Sequence, residues 1–149
     1  MKDRLSFSKL SQKFGVNWVP HEISGLLDHV LGFRKLNYLY ETSVVQTKIN
    51  KKIKFFEAVL KELDVRVEVQ PTEVEKIPRT GPLVVVANHP FGGIDGLALG
   101  SLLTKTRPDF KLLVNQELEV FDAMTPWLFK VDILSGHAAK SKNLKVLAD

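Results

Sequence analysis

Leu83-Val84-Val85-Val86-Ala87 is the longest unbroken apolar run in the chain, and it ends directly on Asn88-His89. Unbroken apolar character over so short a span suits a strand buried on both faces of a parallel sheet, not one with a wet face. The preceding Thr80-Gly81-Pro82 is a turn, since glycine and proline supply backbone conformations that other residues adopt poorly. A doubly buried strand belongs in a sheet with helices on both faces, and the alternation of helices and strands after it argues for an α/β fold. It also aims one histidine at the edge where open α/β sheets hold ligands.

The rest of the chain is read around that strand. Residues 1–48 form an N-terminal helical region, with Leu26, Leu27, Val30, Leu31, Leu36, Leu39 and Tyr40 recurring near helical spacing about a break at Gly32. Residues 49–149 form a partial α/β domain. It opens on a helix that puts Ile49, Ile53, Phe56, Leu60 and Leu63 on one face and the lysines mostly elsewhere. Val65, Val67 and Val69 alternate with Arg66, Glu68 and Gln70, the period-two pattern of an edge strand. Beyond His89 the reading is a helix over Gly96–Leu103 capped by Asp95, a strand at Lys111–Val114, a helix-prone stretch at Glu117–Met124, a strand at Val131–Leu134 and a helix opening near Ala139. The predicted fold class is therefore α/β, an N-terminal helical segment followed by part of a mostly parallel sheet with flanking helices.

Composition narrows the function classes. A chain of 149 residues with 44% hydrophobic and 26% charged residues has the usage of one packed domain. It has no cysteine, which excludes thiol nucleophiles, thiolate metal sites and disulfides. The run at Leu83–Ala87 is far shorter than the roughly 20 apolar residues that span a bilayer. No secretory signal is legible in the first residues, so the expected location is cytoplasmic. The 21 basic against 17 acidic residues give a formal charge of +4, a mild bias toward anionic partners and too weak a footprint for nucleic acid.

Asn88-His89-Pro90-Phe91-Gly92-Gly93-Ile94-Asp95-Gly96 is the segment that carries chemistry. His89 can take a proton near neutral pH, and a carboxylate such as Asp95 can fix its tautomer and stabilise the imidazolium. Together they would activate a hydroxyl nucleophile. Gly92, Gly93 and Gly96 clear side chains from the turn and let backbone N–H groups approach an oxyanion or phosphate. Pro90 stiffens it, and Asn88 and Phe91 flank the histidine. A structural alternative stands beside this, in which Asp95 only caps a helix and His89 only satisfies a turn; spacing alone does not choose between them.

Asn88-His89-Pro90 with Asp95-Gly96 resembles the first signature block of the phospholipid and glycerol acyltransferase superfamily, the lysophosphatidic acid acyltransferases and their relatives. The bacterial hemolysin-like branch is the nearest likeness. More loosely the resemblance runs from about Leu31 through Lys142, taking in Ile77-Pro78-Arg79-Thr80-Gly81-Pro82 and Arg107-Pro108-Asp109. It implies acyl transfer from acyl carrier protein or a coenzyme A thioester to a hydroxyl of a lysolipid, glycerophospholipid or aminolipid. His89 would be the base, supported by Asp95, with Asn88, Pro90, Phe91, Gly92, Gly93 and Gly96 around the substrate. No metal or bound cofactor is implied, and peripheral contact with the anionic inner membrane face is.

The departures from the family pattern are specific. Five residues separate His89 from Asp95 where four are commoner, a spacing that the hemolysin-like branch shares. Asn115 stands where a lysine is common. Val131-Asp132-Ile133 lies where many members carry an Asp-Arg pair for the acceptor phosphate. The later Phe-Pro-Glu-Gly-like turn has no counterpart before Asp149, so the expectation is a fragment holding half an active site. The alternative to an acyltransferase is an inactive fragment or a lipid-binding module.

Other residues carry blander readings. His21, His29 and His137 lack metal-ligand spacing. Ser101 and Ser135 lack a nucleophile elbow, and Gly92-Gly93 lacks the Gly-Lys-Ser/Thr ending of a phosphate loop. Lys48, Lys51, Lys52 and Lys54 read equally as a solvated face or a headgroup contact. Phe14, Val16 and Trp18 suit a core more than an interfacial anchor.

Overall fold

The computed structural model describes residues 6–13, 15, 20–50, 54–132, 139 and 143. Six α-helices are defined there: α1 (Phe7–Lys13), α2 (His21–Val30), α3 (Phe33–Ile49), α4 (Phe55–Glu62), α5 (Pro71–Glu75) and α6 (Gly93–Thr106). Two strands follow, β1 (Leu112–Asn115) and β2 (Leu128–Val131), separated by 3₁₀ helices at Gln116–Val120 and Asp122–Trp127. The architecture is mixed helix and parallel sheet, and mostly helical.

The helices pack in chain order, α1 on α2, α2 on α3, α3 on α4, and then α4 on α6. The Phe7 N–H donates to the Asp28 carboxylate across the first of these contacts. On α3 the buried residues Asn37, Tyr40 and Ser43 recur three apart, the stripe of one helical face. α4 buries Phe55, Phe56, Ala58, Val59 and Leu60, leaving Glu57 in its first turn and Lys61 in its last. Those charges complement the helix dipole at each end. A Lys105–Glu57 ion pair joins α6 to α4.

An aromatic cluster ties the helices to the sheet. The Tyr40 ring lies 5.6 Å from Phe55 and 5.1 Å from Phe121, and Phe56 meets Trp127 at 5.3 Å and Phe110 at 5.9 Å. Tilted and edge-on pairs at these separations are favourable beyond the area they bury. The Tyr40 hydroxyl accepts the Ala123 N–H at 2.8 Å, so the buried phenol is also hydrogen-bonded. β1 and β2 run parallel, with Leu112 opposite Leu128 and Asn115 opposite Val131. A parallel pair needs a crossover of about a dozen residues, and here the two 3₁₀ helices supply it.

Several sequence expectations are corrected. Leu83–Ala87 is not a buried central strand: among the described residues it pairs with no strand, and Val84 and Val86 are 86% and 89% exposed. The physical reason is one-sided cover. Leu83 and Val85 line a cavity of about 220 Å³ with Leu99, Leu102 and Leu103 of α6, and nothing among the described residues covers Val84 and Val86. Val65–Val69 likewise forms no strand, and Val67 and Val69 are exposed. The helix expected to start at Ile49 starts at Phe55, because Ile49 ends α3 and is exposed.

Glu117–Met124 is 3₁₀ rather than α. Asn115 caps the first segment by accepting the Glu117 N–H at 3.3 Å, and Pro126 sits within the second, where its missing N–H bars a longer α-helix. The second strand is Leu128–Val131, slightly earlier than expected. The break at Gly32 and the strand after Lys111 stand where the sequence puts them. Phe14, Val16, Trp18, Lys51, Lys52, Ile53, Ile133, Ser135, His137, Leu144 and Leu147 lie outside the described residues, as does most of the final helix.

Candidate active site

The site is built where the extended arm 82–89 turns back into α6. Pro90 and Phe91 make the turn, and Gly92 is the residue before the helix, with φ 60° and ψ −124°. Side chains with a Cβ rarely adopt that conformation, so glycine is required there. α6 then begins at Gly93, earlier than expected, and Asp95 falls within its first turn instead of capping it.

Asp95 reaches backward rather than along the helix. Its Oδ2 accepts the Phe91 N–H at 2.8 Å and faces the His89 Nδ1 at 3.6 Å. One carboxylate oxygen thus fixes the turn and meets the imidazole. With Nδ1 toward Asp95, Nε2 lies on the opposite edge of the ring. The His89 side chain is 64% exposed and that of Asp95 23%, so the imidazole is open to solvent while the carboxylate is sheltered. A negative charge in the first turn of a helix is also favoured by the helix dipole.

The other expected residues are close by in the chain and are distributed simply. Asn88, Pro90 and Phe91 are exposed. A Cβ at Gly93 or Gly96 would meet no atom within 4 Å, so open space borders the helix start on that side. N–H groups of a first helical turn have no partner within the helix, which makes this edge suited to an oxyanion. A second cavity, about 300 Å³ and lined by Glu57, Lys61, Arg66, Ser101 and Lys105 among others, contains none of these residues.

The sequence marks Arg107 only within the family likeness and gives it no role in this region. Its side chain is 11% exposed, and the guanidinium donates to the Pro78 and Gly81 carbonyls at 3.0 Å each and holds Asp109 through two bonds of 2.9 and 2.8 Å. The hydrogen bond from Arg107 holds the Asp109 carboxyl below its ordinary value, against a smaller opposing effect of desolvation. The same bond raises Arg107. A lone arginine two residues before an aspartate was the available signal. Of the family departures, Asn115 serves as the cap described above, and the Asp132 backbone exchanges two hydrogen bonds with the Asn143 side chain, at 2.9 and 2.7 Å.

No protein-family model matches the chain, and no solved structure does. It is 30% identical over 125 residues to a lyso-glycine lipid O-acyltransferase of Phocaeicola vulgatus. That similarity supports an acyltransferase family. A second lyso-glycine lipid O-acyltransferase, from Bacteroides thetaiotaomicron, is 29% identical over 125 residues. Each match covers 83% of this chain, which spans 42% and 43% of the length of the two relatives. Among the described residues no helix is long and apolar enough to cross a membrane.

Proposed function

We propose that the protein moves a fatty acyl group from an acyl carrier protein or coenzyme A thioester to the hydroxyl of a lysolipid. The observation that carries this reading is the His89–Asp95 pair, Nδ1 to Oδ2 at 3.6 Å, at the exposed start of α6. His89 takes the acceptor hydroxyl proton at Nε2 while the oxygen attacks the thioester carbonyl carbon. The C–S bond breaks as the ester forms, and the thiol leaves with the proton that His89 returns. Asp95 balances the imidazolium in between, and backbone N–H groups at Gly92 and Gly93 offset the charge developing on the carbonyl oxygen.

The relatives' names favour an aminolipid hydroxyl over a glycerophospholipid as acceptor. A lysolipid acceptor in turn favours work at the inner membrane face. Ile23, Leu26 and Val30 are exposed and spaced three and four apart on α2, the spacing of one apolar helix face. The test is acyl transfer by the full-length protein from labelled acyl carrier protein or acyl-CoA to a lyso-glycine lipid and to lysophospholipids, with His89→Ala alongside. Turnover should fall by roughly 100- to 10,000-fold in the variant. Unchanged turnover in His89→Ala would end the reading, and no product from folded protein would favour a lipid-binding module.

A further inference from the structure

We propose that Arg107 is a positioning residue for the His89–Asp95 pair, acting on His89 through the turn that launches its arm. The proposal rests on the acyl-transfer reading of that pair. Arg107 closes α6, its N–H donating to the Leu103 carbonyl at 2.7 Å, so it is fixed to the same helix that carries Asp95. From there its Nη1 and Nη2 hold the Pro78 and Gly81 carbonyls. The arm that begins at Gly81 returns to α6 where the Phe91 N–H meets Asp95. Residues 81–91 are therefore tied to one helix at both ends, by Arg107 at its C-terminal end and by Asp95 at its N-terminal end.

What makes this tie consequential is the state of the arm between its anchors. Among the described residues it pairs with no strand, and the bonds to Arg107 and Asp95 hold its two ends. A slip of one residue along extended backbone moves a side chain by about 3.3 Å and turns it to the other face. His89 would then lose its place opposite the Asp95 Oδ2. Arginine suits the task because a planar fork can hold two carbonyls and one carboxylate together, which a lysine ammonium cannot do with the same geometry. Asp109 completes the clamp by aligning the guanidinium through the Nε and Nη2 bonds.

The experiment compares Arg107→Met, Arg107→Lys, Asp95→Asn and the Arg107→Met/Asp95→Asn double variant of the full-length protein. It reads kcat, KM and the chemical shift of the His89 imidazole cross-peak by NMR. Arg107→Met should lower kcat by about 10- to 100-fold, the scale of a misplacement near 1 Å, with KM little changed. Arg107→Lys should recover only part of the loss. In the Asp95→Asn background Arg107→Met should add little, because residues acting through one interaction are not additive. The His89 cross-peak should move in the same direction in Arg107→Met as in Asp95→Asn. Asp109→Asn, at an exposed residue, should move it the same way by less and serves if Arg107→Met does not fold. Additive losses in the double variant, or an unmoved His89 cross-peak, overturn the proposal. Full activity in His89→Ala would overturn the reading of His89 as the base instead, and the cross-peak would still decide whether Arg107 positions His89.

Discussion

Gly100 of α6 lies so close to Phe56 of α4 that a Cβ on it would stand 2.6 Å from the ring. Phe56 is fully buried and wedged against Phe55, Phe110 and Trp127, so the ring has no room to yield. Gly100→Ala should gain about 1 kcal/mol of helix propensity and lose more to the clash, for overpacking commonly costs about 1–3 kcal/mol. Urea denaturation should show a lower midpoint. A raised midpoint would mean that α4 and α6 can separate freely, and that Asp95 is not held by this crossing.

The same crossing shows what the sequence could and could not announce. The α6 pattern, the Gly32 break and the parallel strands were legible because periodicity and turn residues report local geometry. His89 and Asp95 were legible as a pair because a strand-like arm, a turn and a helix start bring them together within a few residues. Leu83–Ala87 misled because apolar character reports a demand for burial, and cover over Val84 and Val86 depends on other parts of the fold. The Arg107 bonds to Pro78 and Gly81 join residues 29 and 26 positions apart, a contact that neither propensity nor period encodes.

Ser43 is fully buried on α3, and its hydroxyl has no hydrogen-bond partner among the described residues. An unsatisfied buried polar group costs about 1–3 kcal/mol, and alanine is the better helix former. Ser43→Ala should therefore raise stability by about 1 kcal/mol, with turnover unchanged because the residue touches no part of the site. Thermal and urea midpoints measured together check this, and a drop in both would point to a partner for the hydroxyl.

Asp109 makes the acid stability of the clamp measurable. Its folded value lies below its unfolded one through the hydrogen bond from Arg107, so in the acid range the unfolded state binds more protons. Stability from this group is then present above the unfolded value, about 3.9, and is lost as pH falls through the folded value. The side chain is 64% exposed, so the effect should be modest and weaken with salt. Denaturation midpoints followed into acid should fall less steeply in Asp109→Asn than in the parent; equal slopes would remove the ion pair from the account.

Asp95 meets the Phe91 N–H and the His89 ring through one oxygen, and the two contacts can be separated. Asparagine keeps an oxygen able to accept the Phe91 N–H but has no charge to balance an imidazolium; alanine keeps neither. Asp95→Asn should hold the melting temperature near that of the parent while turnover falls well below it. Asp95→Ala should lose as much turnover and also about 1 kcal/mol of stability, the scale of a lost hydrogen bond to a backbone N–H near a helix start. If Asp95→Asn turned over at the parent's rate while Asp95→Ala alone lost activity, the carboxylate would be holding the Pro90–Phe91 turn and His89 would be working without its charge.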